Sequence, residues 1–287
     1  MNQLRKSKQI PASNGIANTF IILGLFFLFS SLAAILAPIP VFLYFQVPLE
    51  AESMTSFLNF GNLREHPSGR LIYLYIQGIS SLGGFILSAV IYLRYIEKAN
   101  ISPLNLRPDW RWLSFVLAAL VTISIMPFTS LLIEWNSDIH LPAYLSELEA
   151  WIIEKEAFFQ ELTVFLTQFG SSGEALIALL VMAILPGIGE ELLFRGLIQR
   201  NFQAFLNPHV AIWLSAIIFS AIHLQFLGFI PRALLGALFG YLYYWSGNIW
   251  LAILAHFVNN AFTLLMVYAY HLGLIEHNIL GSQASTS

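Results

Sequence analysis

Pro186-Gly-Ile-Gly-Glu-Glu-Leu-Leu-Phe-Arg195 places two adjacent carboxylates and an arginine inside hydrophobic sequence. An uncharged run, Ala175 to Ile188, precedes Glu190 and Glu191, and only Arg195 is charged between them and Arg200. A charge deep in a bilayer costs roughly 2.5–3.5 kcal/mol on insertion scales, so two together require a pairing or a chemical role. On a helix, Glu191 and Arg195 are i,i+4 neighbours suited to an ion pair. Glu190 points about 100° away around the same helix and has no local partner. One glutamate is read as scaffold, the other as reagent.

Working outward, composition sets the class. The 287 residues are 57% hydrophobic and 10% charged, far below the roughly 25% charge of a soluble globular domain. A multi-pass membrane protein is expected. Cysteine is absent, which rules out disulfides, thiolate nucleophiles and cysteine-ligated metals. A net charge of −3 argues against a nucleic-acid partner, which needs a basic face. The first apolar run, Ile21–Tyr44, is too long for the apolar region of a cleaved signal peptide.

Seven spans are counted, each near the 20 or so apolar residues that cross a bilayer. They are Ile21–Tyr44, Leu71–Ile91, Trp112–Ile133, Ala175 to about Leu206, Val210–Leu227, Ala233–Trp245 and Ile249–Tyr270. Pro38 and Pro40 are expected to bend or end the first. A polar loop is expected from Glu50 to Arg70, and a charged connection carries Arg94, Glu97, Lys98, Arg107, Asp109 and Arg111. Trp110 and Trp112 suit an interface. Asn207-Pro208 and Ser246-Gly247-Asn248 are turn signals. Gly236 and Gly240 form a small-xxx-small pair that admits a close neighbour, read as packing alone. The fourth apolar stretch exceeds one crossing, so a break is expected at Pro186–Gly189.

Glu134 to Gln168 differs from the spans. Leu145, Leu148, Ile152, Phe159, Leu162 and Leu166 recur at three and four residues, with glutamates mostly opposite. That pattern reads as an amphipathic helix lying on the membrane or capping the bundle, either a lid that packs or a flap that admits substrate. Lys and Arg fix the orientation. A cytoplasmic N-terminus puts Arg5, Lys6, Lys8, Arg94, Lys98, Arg107, Arg111, Arg195 and Arg200 inside, and Arg64, Arg70, Lys155 and Arg232 outside.

Three further polar residues fall in spans: His223, His256 and Asn260. Helical rise from the turn at Asn207 places Glu190 and His223 level, each about 24–26 Å from it, and His256 within about 8 Å of that depth. His256 and Asn260 share a helix face, as do Phe219 and His223. Asn259 is turned off that face, and His66, His140, His209, His271 and His277 read as solvated loop or interface residues. A glutamate in apolar surroundings suits taking a proton from water. His223 at its level would hold that water, while His256 and Asn260 would supply donors to a carbonyl oxygen becoming negative.

Glu190-Glu191-x-x-x-Arg195, Phe219-x-x-x-His223 and His256-x-x-x-Asn260 resemble the three motifs of the CAAX protease and bacteriocin-processing (CPBP, or Abi) family, whose members include type II CAAX prenyl endopeptidases of the Ras-converting kind. The resemblance covers Ala175 to Tyr270. It implies an all-α, multi-pass transmembrane bundle acting as an intramembrane endopeptidase without a cofactor. Catalysis would fall to Glu190, His223, His256 and Asn260, with Glu191, Arg195 and Phe219 supporting the site. It further implies a peptide or protein substrate, possibly lipidated.

The same residues admit other readings. Glu190, His223 and His256 form a possible His2Glu zinc set, although the zinc-peptidase pattern His-Glu-x-x-His is absent. A non-catalytic scaffold or immunity protein, and a transporter or proton relay, use similar bundles. The expected organisation is 1–170 as N-terminal spans plus the amphipathic helix, 171–272 as the catalytic core, and 273–287 as a polar tail. The expected location is a bacterial inner membrane.

Overall fold

The computed structural model describes residues 12–99, 104–105, 111–137 and 141–275. Arg5, Lys6, Lys8, Arg107, Asp109, Trp110, His140, His277 and the tail past residue 275 lie outside the described residues.

Every regular element among the described residues is helical, and one antiparallel bridge, Asn105 to Asn248, stands alone. In chain order the main helices are α1 (Asn14–Tyr44), α2 (Gly69–Ile96), α3 (Trp112–Ser137), α4 (Ser146–Thr167), α5 (Ser172–Phe202), α6 (Pro208–Ala221), α7 (Phe229–Ser246) and α8 (Ile249–His271). The seven apolar stretches are thus seven helices. Five of them, α1, α2, α3, α5 and α8, are long and apolar enough to cross a membrane. The protein is an all-α integral membrane bundle.

The turn signals act as expected. Asn207 Oδ1 accepts from the N–H groups of His209 and Val210 to cap α6, with Pro208 at the first helical position, where a missing N–H costs nothing. Gly247 ends α7 in the left-handed region (φ 66°) and donates to Tyr243 O, the glycine termination that spares a Cβ clash. Asn248 Oδ1 then caps α8 through Trp250 N–H.

Four local expectations change. In α1 the helix is interrupted only at Ala37, and Pro38 opens a continuation to Tyr44. The Glu50–Arg70 connection folds into two short helices, Ala51–Leu58 and Phe60–Glu65. α6 ends at Ala221, so His223 stands in the turn beyond it. The fourth stretch does not break at Pro186–Gly189. It runs on as α5, with wider π-turns at Leu180–Ile184 and Leu192–Gln199 on either side of the Pro-Gly segment, the kind of local expansion common at functional sites.

α5 is the axis of the bundle. Its Leu193, Leu197 and Ile198 are fully buried, together with Ile249, Ala252 and Ala255 of α8, Phe219 of α6 and Phe239 of α7. At about 46 Å it is longer than the roughly 30 Å hydrocarbon core, and ion pairs hold both its ends. Glu174 takes Arg70 Nη1 at 2.6 Å, and Arg200 Nη2 reaches Glu97 at 2.6 Å. The C-terminal end of α4 buries Phe165 and Leu166 against α2, α5 and α8, while its N-terminal half exposes Leu148 and Ile153.

Candidate active site

The site is built around the two glutamates of α5. Glu191 is completely buried. Its Oε1 accepts from Arg195 Nη1 at 2.9 Å and stands 2.7 Å from His256 Nδ1. The i,i+4 pair read from sequence is therefore formed, and a histidine from α8 shares the same oxygen. Arg195 spends its other terminal nitrogen on Gly236 O of α7 at 2.8 Å. Its Cζ lies 4.7 Å from the Phe219 ring centre and 5.6 Å from that of Phe239, a cation–π arrangement that replaces lost hydration.

Glu190 turns to the opposite side. Its Oε2 lies 3.9 Å from His223 Nε2 and 3.8 Å from His256 Nε2. A carboxylate from α5, an imidazole from α8 and another from the turn after α6 therefore converge on one point.

The hydrogen-bond partners decide what each ring offers. His223 Nδ1 is 2.8 Å from Phe219 O, which can only accept, so that nitrogen carries the proton. His256 Nδ1 faces the Glu191 carboxylate, again an acceptor. With that proton at Nδ1, each ring when neutral presents a bare Nε2 toward Glu190. The His223 bond also explains why α6 ends early. The side chain occupies the Phe219 carbonyl that the backbone N–H of residue 223 would use, and that N–H turns to Ser220 O instead. Leu224 follows in the left-handed region at φ 54°.

Phe219 is the hub of the aromatic support. Its ring meets His223 edge-on at 5.0 Å and His256 at 5.9 Å. Phe239 stacks on His256 at 5.2 Å and 21°. Sequence reading did not find Phe239, since nothing distinguishes it from other apolar residues of α7. The Gly236 and Gly240 pair does more than ease packing. Its carbonyls receive Arg195 and Gln199 Nε2. A Cβ at Gly240 would stand 2.7 Å from Gln199 Oε1 and 2.9 Å from Ile212.

Asn260 is held on both sides of its amide. Nδ2 donates to Met182 O at 3.3 Å, and Oδ1 accepts from Asn259 Nδ2 at 3.0 Å. Met182 is four residues before Pro186, so its carbonyl lacks the helical N–H that a non-proline residue would supply. Asn260 takes that acceptor and keeps one N–H for another partner. Asn259, set aside in the sequence, orients Asn260 through this bond.

No trio of His, Cys, Asp or Glu among the described residues is arranged to hold a metal ion. Zinc at about 2.0–2.2 Å from each donor would bring donors to about 3.3 Å from one another, closer than the 3.8 and 3.9 Å found here.

Residues 172–262, which contain all seven motif residues, match the family described as Type II CAAX prenyl endopeptidase Rce1-like. The three motifs had pointed to that family. The chain is also similar to the uncharacterized protein YpbD of Bacillus subtilis (strain 168), with 28% identity over 104 residues. That alignment covers 35% of this chain and 51% of YpbD, so the chain spans about half the length of this curated relative. No solved structure matches.

Proposed function

We propose, taking the Rce1-like match of residues 172–262 as premise, that the protein is an intramembrane endopeptidase that hydrolyses a peptide bond with a water held by Glu190 and His223. The observation that carries this reading is the approach of two imidazole Nε2 atoms to a single Glu190 oxygen, at 3.8 and 3.9 Å. One water bridges such a gap with ordinary hydrogen bonds of about 2.8 Å to each side.

Glu190 accepts a proton from this water as the oxygen attacks the scissile carbonyl carbon. The new C–O bond forms, and the carbonyl π pair moves onto its oxygen. Asn260 turns its remaining N–H to that oxyanion. His256 adds a second donor when Nε2 is protonated, and the Glu191 carboxylate at Nδ1 supports the resulting imidazolium. Collapse re-forms the carbonyl and breaks the C–N bond, and the proton held by Glu190 goes to the departing amine. Glu191, Arg195 and Phe219 keep these groups in place. A bacterial inner membrane with a cytoplasmic N-terminus, and a peptide or protein substrate with or without a lipid, complete the reading.

The test is quantitative peptide profiling of membranes from cells carrying the wild type or Glu190→Gln. A peptide that accumulates uncut only with Glu190→Gln supports the peptidase, and identical profiles would sink it. Cleavage that persists when the purified enzyme is treated with a chelator fits the water mechanism, whereas its loss would restore the zinc reading.

A further inference from the structure

Arg232, counted in the sequence among the outer-side charges, has its guanidinium tucked against the turn that follows His223. It lies in the first turn of α7, one helical turn before Gly236, the residue whose carbonyl receives Arg195. The two positions are i,i+4 and share the helix face turned to the site. Nη2 donates to Gln225 Oε1 in the turn after His223. Gly228 leaves room for the guanidinium, since a Cβ there would stand 2.8 Å from Nη2. Nη1 is buried and has no acceptor. Leaving a buried charged donor unmatched is costly, so this nitrogen calls for a partner that the folded chain does not provide. The Arg232 charge interacts with Glu190, His223 and Glu156.

The other donors near Glu190 are largely committed. His223 and His256 each use Nδ1–H on an acceptor and, when neutral, show a bare Nε2. Arg195 spends Nη1 on Glu191 and Nη2 on Gly236 O. Asn260 has given one N–H to Met182 O. A hydrolytic site that builds negative charge on a substrate oxygen needs cationic donors aimed at it.

Resting on the peptidase reading, we propose that Arg232 is a substrate-contacting residue whose Nη1 donates to an anionic oxygen of the bound peptide. Two oxygens have this chemistry. One is the oxyanion that forms on the scissile carbonyl, and the other is a carboxylate already carried by the peptide. Arg232 then supplies an uncommitted donor at the site that is charged whatever the state of the histidines.

The experiment uses the full chain in detergent with two synthetic probes, a lipid-modified peptide ending in a free carboxylate and the same peptide ending in an amide. Thermal shift and turnover are measured for wild type, Arg232→Gln and Arg232→Lys. If the oxyanion is the partner, Arg232→Gln slows turnover of both probes roughly 100- to 1000-fold and leaves their thermal shifts unchanged. If a carboxylate is the partner, Arg232→Gln abolishes the shift given by the acid probe and raises its KM on the order of tenfold, while the amide probe behaves as with wild type. Arg232→Lys keeps the charge and recovers part of either loss. It also decides the matter if Arg232→Gln loses its cooperative melt. A natively melting variant that matches wild type on both probes in both measurements overturns the proposal. Cleavage by Glu190→Gln at the wild-type rate would instead break the peptidase reading and the oxyanion arm with it, while the thermal shifts, which need no turnover, would still judge the carboxylate arm.

Discussion

In α1 and α3, 11% and 17% of the most apolar window is buried within the protein, whereas in α5 the share is 56% and in α8 44%. All four helices are apolar, with mean hydropathies of 2.6 and 2.3 in α1 and α3 and 2.0 and 1.6 in α5 and α8, yet they solve different problems. Lipid tails are as apolar as leucine, so the exposed faces of α1 and α3 satisfy the bilayer by facing it, and little on those faces must be specific. α5 and α8 are wrapped by other helices. Association in lipid relies on close packing and interhelical hydrogen bonds, and the small and polar residues gather there accordingly. Gly236, Gly240, Asn260 and the Glu191–Arg195 pair all lie in this inner region. The contrast between an interchangeable shell and a specified core is open to direct attack.

The largest effect is expected from Glu190→Gln, which should lower turnover by about 10²- to 10⁴-fold, the usual worth of a general base, with the melting temperature preserved. A large fall in stability instead would mean that Glu190 is scaffold, and the contrast between it and Glu191 would vanish. Arg195→Ala comes next. It leaves Glu191 buried without its cation and should destabilise the protein by about 3–5 kcal/mol, read by denaturant titration in micelles, with activity lost as well. Gly240→Leu should cost about 1–3 kcal/mol through overpacking against Gln199 and Ile212, visible in the same titration. At the small end, Leu28→Ala in α1, with Leu28 52% exposed, should stay within about 0.5 kcal/mol. A cost there as large as at Gly240 would erase the distinction between shell and core.

Spacing carried much of this into the sequence. Glu191 with Arg195, and Phe219 with His223, are neighbours on their own helices, and the structure joins each pair. Turn residues such as Asn207 and Gly247 could be read because their preferences act locally. What stayed hidden depends on which group wins a particular carbonyl. His223 leaves the helix because its ring claims Phe219 O. The break expected at Pro186–Gly189 does not occur because π-turns flank the proline and Asn260 takes the acceptor it strands. Arg232 folds back on the turn after His223 because Gln225 and the bare Gly228 make a place for it. Each of these outcomes is settled by a partner remote in the chain or by a competition within one turn, and neither leaves a periodic trace.

The stranded carbonyl of Met182 has a reach beyond its own helix. A defect in one rod, made by the single residue that cannot donate, becomes the socket into which another rod's amide is keyed. The angular setting of Asn260 is thereby written in α5 as well as in α8, and the imperfection works as a jig that indexes the two helices against each other.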